Sequence, residues 1–206
     1  MPNKTLYIVA TPIGILADIS HRALEVLRSV DVVLCEDTRQ TRKLIEHYGI
    51  EAKLRSLHQH SSSAKITKEL ENVAAAAYVS DAGTPGISDP GGKVVAAAVE
   101  MDFSVSPIPG PSAVMAALSV SGFPTDKFLF LGFKKKKKKN KIFVQVRDSE
   151  ITTCFYESPH RIVKTLEQMA ELLEADRQVV VTRELTKKFE TVYRGSVMEA
   201  LEAVRA

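Results

Sequence analysis

The chain has 206 residues, 45% of them hydrophobic and 26% charged, with a formal net charge of +3. That size and balance fit one large or two small soluble domains with a real core, and exclude a histone-like polycation. No apolar run approaches the ~18 residues of a membrane span, and the N-terminus has no signal-peptide layout. In chain order, Leu6–Ala10 reads as a short β-strand ended by the turn-rich T-P-I-G-I-L. Asp18 or Ser20 then caps a helix in which Ile19, Ala23, Val26, Leu27 and Val30 recur at helical spacing. Val32–Cys35 is a second strand, and Asp37 or Thr38 caps a helix closed by Gly49. Ala52–Leu57 reads as a third strand and Lys65–Asn72 as a helix.

The next apolar run, Val73–Val79, enters the stretch S-D-A-G-T-P-G-I-S-D-P-G at Ser80–Gly91. Glycine allows close backbone approach and proline fixes turns, so this stretch is either a polar-ligand loop or a long, well-capped surface turn. A helix from Gly92, a strand at Phe103–Ile108 and a short helix capped by Ser112 follow. Strand–helix alternation five times over predicts a parallel sheet covered by helices on both faces. Around Ser119–Lys127 the alternation breaks, which places a domain boundary there and predicts domains 1–120 and 121–206. The second half reads as strands at Phe128–Phe133, Thr152–Tyr156, Gln178–Thr182 and Glu190–Arg194, with helices around 142–146 and 162–173 and a last one capped by Ser196. It is expected to mix strand–helix units with antiparallel pairs.

Polar, turn-forming residues follow every strand, and in a parallel sheet such loops share one edge. There is no G-x-G-x-x-G after the first strand, no P-loop and no G-x-S-x-G elbow. His58 and His60 lack a partner at ligand spacing, so no metal site is expected. Glu36 and Asp37 read either as general bases or as ion-pair partners of Arg39 and Arg42. The six lysines Lys134–Lys139 read either as a solvated loop or as a phosphate contact. Cys35 and Cys154 lie in apolar strand patterns and read as buried free thiols, which fits a reducing cytoplasm.

Six blocks carry a resemblance that spans nearly the whole chain: L-Y-I-V-A-T-P-I-G, E-D-T-R-Q-T-R, V-S-D-A-G-T-P-G-I-S-D-P-G, P-I-P-G-P-S-A, F-Y-E-S-P-H-R and T-R-E-L-T-K-K-F-E. In this order they resemble the ribosomal RNA small subunit methyltransferase I family, within the tetrapyrrole methylase class. The resemblance implies two α/β domains, S-adenosylmethionine in the cleft between them, and a homodimer. It also implies 2′-O-methylation of a cytidine ribose in 16S rRNA, at the decoding centre of the small ribosomal subunit. By motif, it implies cofactor contacts at Pro12, Asp81, Gly83, Thr84, Pro85, Ile87, Ser112, Ala113, Tyr156, Leu185 and Thr186. Within the matched blocks, Glu36, Asp37, Glu157 and Glu184 are the base or orienting candidates. Arg39, Arg161, Arg183 and Lys187, with Lys134, Lys135 and Lys136, are the candidates for RNA phosphates.

The chain departs from the wider class at one point and from the family pattern at three. Thr84 stands where the wider class has Asp, as in the ribosomal branch. Ile15 stands where the family has Asn, and the lysine run replaces a segment that usually carries Leu-Pro. The chain also ends where family members continue with a helical extension. Three rival readings stay open at this stage: a small-molecule methyltransferase acting on a tetrapyrrole, a cofactor-binding module without catalysis, and a flavodoxin-like nucleotide-binding protein.

Overall fold

The computed structural model describes residues 4–58, 60–133, 139–174 and 176–206. The chain divides into two compact units, Met1–Ala113 and Val114–Ala206.

The first unit holds five parallel strands: β1 (Thr5–Val9), β2 (Val32–Cys35), β3 (Leu54–Ser56), β4 (Ala75–Val79) and β5 (Ser104–Ile108). Their order across the sheet is β3-β2-β4-β1-β5. All four residues of β2, V-V-L-C, are buried, as a strand covered on both faces requires. Strand side chains alternate, so the sheet feeds two cores. Val9, Val33, Cys35, Ala77 and Val79 pack with α1 (His21–Ser29) and α2 (Thr38–His47). Leu6, Val32, Leu34, Ala76 and Tyr78 pack on the other face with α3 (Ser63–Leu70) and α4 (Gly91–Glu100). Each large side chain buried this way contributes about 1.5–3 kcal/mol.

The helix starts follow local chemistry. Ser20 accepts from the Ala23 N–H and Asp37 from the Arg39 N–H, as caps. The third helix begins two residues earlier than the apolar spacing indicates, because Ser62 in the serine cluster accepts from the Lys65 N–H at 3.2 Å. The third strand is shorter than expected, three residues at Leu54–Ser56.

In the second unit, α5 (Ala113–Ser119) leads to β6 (Phe128–Phe133), which pairs in parallel with β7 (Thr152–Tyr156). The crossover between them carries α6 (Lys139–Asp148), longer than the segment expected around 142–146. After α7 (Ile162–Leu172), β8 (Gln178–Arg183) and β9 (Thr191–Ser196) form an antiparallel hairpin. The last helix, α8 (Val197–Arg205), opens with a capping box: Ser196 and Glu199 exchange hydrogen bonds with each other's backbone N–H. Phe143, Leu166, Met169, Val197 and Leu201 form this unit's core. No helix among the described residues is long and apolar enough to cross a membrane.

Candidate active site

In the first unit the connections from β1 and β4 leave toward opposite faces, to α1 and α4. The two strands are neighbours, so this is the topological switch point, where open α/β sheets bind ligands beyond the strand C-termini. Thr11 and Gly83 close the pair of loops here, each N–H donating to the other's carbonyl at 3.0 Å. Gly83 sits at φ 81°, and a Cβ there would lie 3.3 Å from Ile13 Cγ2, so both conformation and space favour glycine. The Thr84 hydroxyl donates to the Pro111 carbonyl at 2.9 Å and ties in the loop after β5. An ionised carboxylate at that position would have no proton to donate to the carbonyl, so this tie needs the hydroxyl. Pro12, Ser112 and Ala113 are half-buried in the loops so joined, Pro85 is buried, and Ile87 is 43% exposed. Ile15 is 52% exposed, so its apolar side chain faces water and not the core.

The end of the Gly/Pro-rich loop is a closing turn. The Asp89 carboxylate accepts from the Gly86 N–H at 2.8 Å and from the Gly91 N–H at 2.7 Å. A negative group so placed satisfies the first N–H of α4, at Gly91, and ties it to Gly86. Ser88 reaches the left-handed region at φ 70° to make the turn.

Carboxylates gather at this edge. Asp81 Oδ1 accepts from the Asp37 N–H at 2.9 Å. Asp37 itself pairs with the exposed Arg39 guanidinium at 2.7 Å, and that hydrogen bond holds its pKa down at about 2. Glu36, half-buried at the end of β2, goes the other way. Burial pushes its pKa up, the Asp81 and Asp89 charges push it further, and His58 opposes them. Beneath lies the fully buried Tyr78 hydroxyl, which has no hydrogen-bond partner among the described residues. Burial first, and then the charges of Asp89, Glu36, Asp81 and Cys35, disfavour its ionisation. Cys35 and Cys154 are free thiols, Cys35 buried as expected and Cys154 only half-buried. Among the described residues no group of three His, Cys, Asp or Glu could hold a metal ion.

The other expected residues lie in the second unit. Tyr156, at the end of β7, meets Phe130 and Phe133 with ring centroids 5.0 and 5.1 Å away. Glu157, expected among the base candidates, is committed inside the fold. Oε1 accepts from the Ser158 N–H at 2.8 Å and from Arg161 at 2.6 Å, and Oε2 accepts from the Thr165 hydroxyl at 2.8 Å. Burial pushes its pKa up, but these hydrogen bonds outweigh that and the carboxyl stays below its usual range. Arg161, expected on phosphate, spends its guanidinium on this pair. Arg183, Glu184 and Lys187 are exposed and Leu185 and Thr186 half-buried in the turn after β8. Lys134, Lys135 and Lys136 lie outside the described residues. Sequence reasoning passed over Tyr78, whose only signal was a polar atom in a strand buried on both faces. For Asp89 the signal was D-P-G before a helical run, a capping cue.

The fold and this edge define the tetrapyrrole methylase class. Residues 5–201 match the model of Tetrapyrrole (Corrin/Porphyrin) Methylases. Solved structures with this fold include a diphthine synthase, at TM-score 0.72 and 15% identity, covering 97% of this chain and 84% of that one. A Thermus thermophilus uroporphyrin-III C-methyltransferase complexed with S-adenyl homocysteine matches at TM-score 0.66 and 14% identity, covering 97% and 86%. Closer in sequence is the Vibrio cholerae ribosomal RNA small subunit methyltransferase I, 48% identical over 200 residues, which are 93% of this chain and 69% of that protein. The Bacillus subtilis protein of the same name is 46% identical over 201 residues, 95% and 68% of the two chains. The chain belongs to the ribosomal RNA small subunit methyltransferase I family.

Proposed function

We propose that this protein is an S-adenosylmethionine-dependent methyltransferase acting on the 2′-hydroxyl of a cytidine ribose in 16S rRNA, at the decoding centre. The observation that carries the cofactor reading is the charge of the switch-point edge. Arg39 neutralises Asp37, and backbone N–H groups satisfy Asp89. Glu36 and Asp81 leave the edge net negative. A sulfonium and an α-ammonium fit such an edge, whereas the phosphates of a flavin or dinucleotide would be repelled. This argues against the flavodoxin-like rival. The rRNA part of the reading comes from the relatives' names, and the cytidine, the decoding centre, a homodimer and a cytoplasmic location belong to the same proposal.

S-adenosylmethionine, when bound, supplies a methyl group already activated on sulfur. The chain has to position the acceptor and take its proton. Pro12, Asp81, Gly83, Thr84, Pro85, Ile87, Ser112 and Ala113 line the proposed cofactor edge. Gly83 and Thr84 act mainly by bracing it, because their polar groups bond Thr11 and Pro111. Glu36 is the proposed base. Its raised pKa makes it a better proton acceptor than Asp37, which Arg39 holds ionised.

Calorimetry with S-adenosylmethionine and its demethylated product, followed by tritiated methyl transfer to small ribosomal subunits lacking the mark, tests the reading. Binding followed by ribose labelling is expected. Binding without transfer would leave a cofactor-binding module, and labelling of a tetrapyrrole instead would move the substrate class.

A further inference from the structure

The β8–β9 hairpin presents an aromatic ring to solvent on a braced loop. Six cross-strand pairs, from Gln178↔Ser196 to Arg183↔Thr191, hold its stem. In the connection, the Lys187 N–H donates to the Glu184 carbonyl at 2.9 Å and the Glu190 N–H to the Lys187 carbonyl at 3.1 Å. The Thr186 N–H donates to Glu190 Oε2 at 2.6 Å, and the Thr191 hydroxyl donates to the Phe189 carbonyl at 3.1 Å. Glu184 and Thr186 hold left-handed φ of 51° and 66°. Strain of this kind persists only where the surroundings over-determine the backbone.

On this frame Phe189 is 70% exposed, more than any other large apolar side chain among the described residues. Lys188 Nζ lies 5.5 Å from its ring centroid, Lys187 is exposed next to Lys188, and Arg183 is exposed on the same hairpin, opposite Thr191. An aromatic face with cations around it is what stacks an unpaired base and holds its flanking phosphates. We propose that Phe189 stacks on an unpaired base of the RNA substrate while Arg183, Lys187 and Lys188 take the adjacent phosphates. The proposal rests on the rRNA-substrate reading above. A second copy of this chain is the poorer occupant, because protein interface cores are depleted in lysine and this ring is set among lysines.

The chain contains no tryptophan, so Phe189→Trp installs a single indole reporter at the site. Its fluorescence should be quenched by oligocytidylate RNA and by small subunits lacking the mark, and not by an abasic ribose-phosphate oligomer. Phe189→Ala should weaken RNA binding about 5- to 150-fold, the value of one stacked base, and Phe189→Trp should retain it. Calorimetry with S-adenosylmethionine on the same samples shows that the variants are folded. An unquenched indole, or Phe189→Ala with wild-type RNA affinity, overturns the proposal. So does a changed sedimentation coefficient at unchanged RNA affinity, which would give the ring to a second copy. If the wild-type chain transfers methyl to small subunits and Phe189→Ala binds them equally well, the stacking contact alone falls. If the wild-type chain neither binds nor methylates RNA, the substrate reading falls and takes the stacking with it.

Discussion

Replacing Glu157 separates a structural carboxylate from a catalytic one. Its side chain is 4% exposed, and it accepts from the Ser158 N–H, the Thr165 hydroxyl and Arg161. A hydrogen bond to a charged group contributes about 1.5–3 kcal/mol when buried. Taken at the low end of that range, the two bonds to Ser158 and Thr165 carry about 3 kcal/mol. The pair with Arg161, itself 34% exposed, is screened by solvent and adds less than about 1 kcal/mol. Glu157→Ala should cost about 3–4 kcal/mol. At about 3 °C per kcal/mol for a chain of this length, Tm should fall by roughly 10 °C. The folded pKa of Glu157 is lowered. Its contribution is thus present above the unfolded glutamate pKa and lost as pH falls through the folded value, so variant and wild type should converge in acid. Differential scanning calorimetry between neutral and acid pH measures both effects. A Glu157→Ala protein with wild-type Tm and abolished methyl transfer would refute the structural assignment and return Glu157 to the candidate bases.

Glu36→Gln should lower methyl transfer by about a hundredfold or more and yet raise Tm at neutral pH. The folded pKa of Glu36 is raised, so the stability of its neutral form is full below the unfolded value and lost as pH rises through the folded one. The gain in Tm should therefore vanish in acid, and a loss of Tm at neutral pH would contradict this. Tyr78→Phe removes a buried hydroxyl with no partner among the described residues and should stabilise the chain by about 1 kcal/mol in urea unfolding. Gly91→Ala would put a Cβ 2.7 Å from the Gly86 nitrogen and 3.0 Å from Tyr78 Cε1, and should cost about 1–3 kcal/mol by the same measurement. Replacing Lys134–Lys139 by serine should weaken RNA binding and flatten its salt dependence, by about 0.7 in log–log slope for each phosphate no longer neutralised. An unchanged slope would mark the run as solvated.

Local order was legible in the sequence and long-range partnership was not. The fully buried V-V-L-C of β2 required a sheet covered on both faces, and the caps Ser20, Asp37 and Ser196 lie within one turn of the N–H groups that donate to them. The Thr84 hydroxyl, by contrast, bonds a carbonyl 27 residues away, and Asp81 meets an N–H 44 residues back. No spacing rule connects such pairs, because the sheet order sets them. Glu157 illustrates the same gap. E-S-P-H-R marks a strand end rich in titratable groups, but only the start of α7 shows that Thr165, two turns further on, returns to it. Phe189 was visible in T-K-K-F-E, but its exposure depends on how the hairpin braces its own turn.

The net charge of +3 is a sum of opposite local fields. Acidic groups collect at the switch-point edge of the first unit, at Glu36, Asp37, Asp81 and Asp89. In the second unit the cations Arg183, Lys187 and Lys188 are exposed around one hairpin loop, where they outnumber the exposed carboxylates Glu184 and Glu190. The Debye length at physiological salt is about 8 Å, so each set acts mainly on what lies directly against it. A uniformly basic surface would hold RNA but repel a sulfonium cofactor, and a uniformly acidic one would do the reverse. Segregated charge lets one modestly charged chain attract both. It also makes their salt responses differ: added salt should weaken RNA binding steeply, because the loop cations are exposed. Affinity for the sulfonium should change far less, because Glu36 is half-buried and screened less.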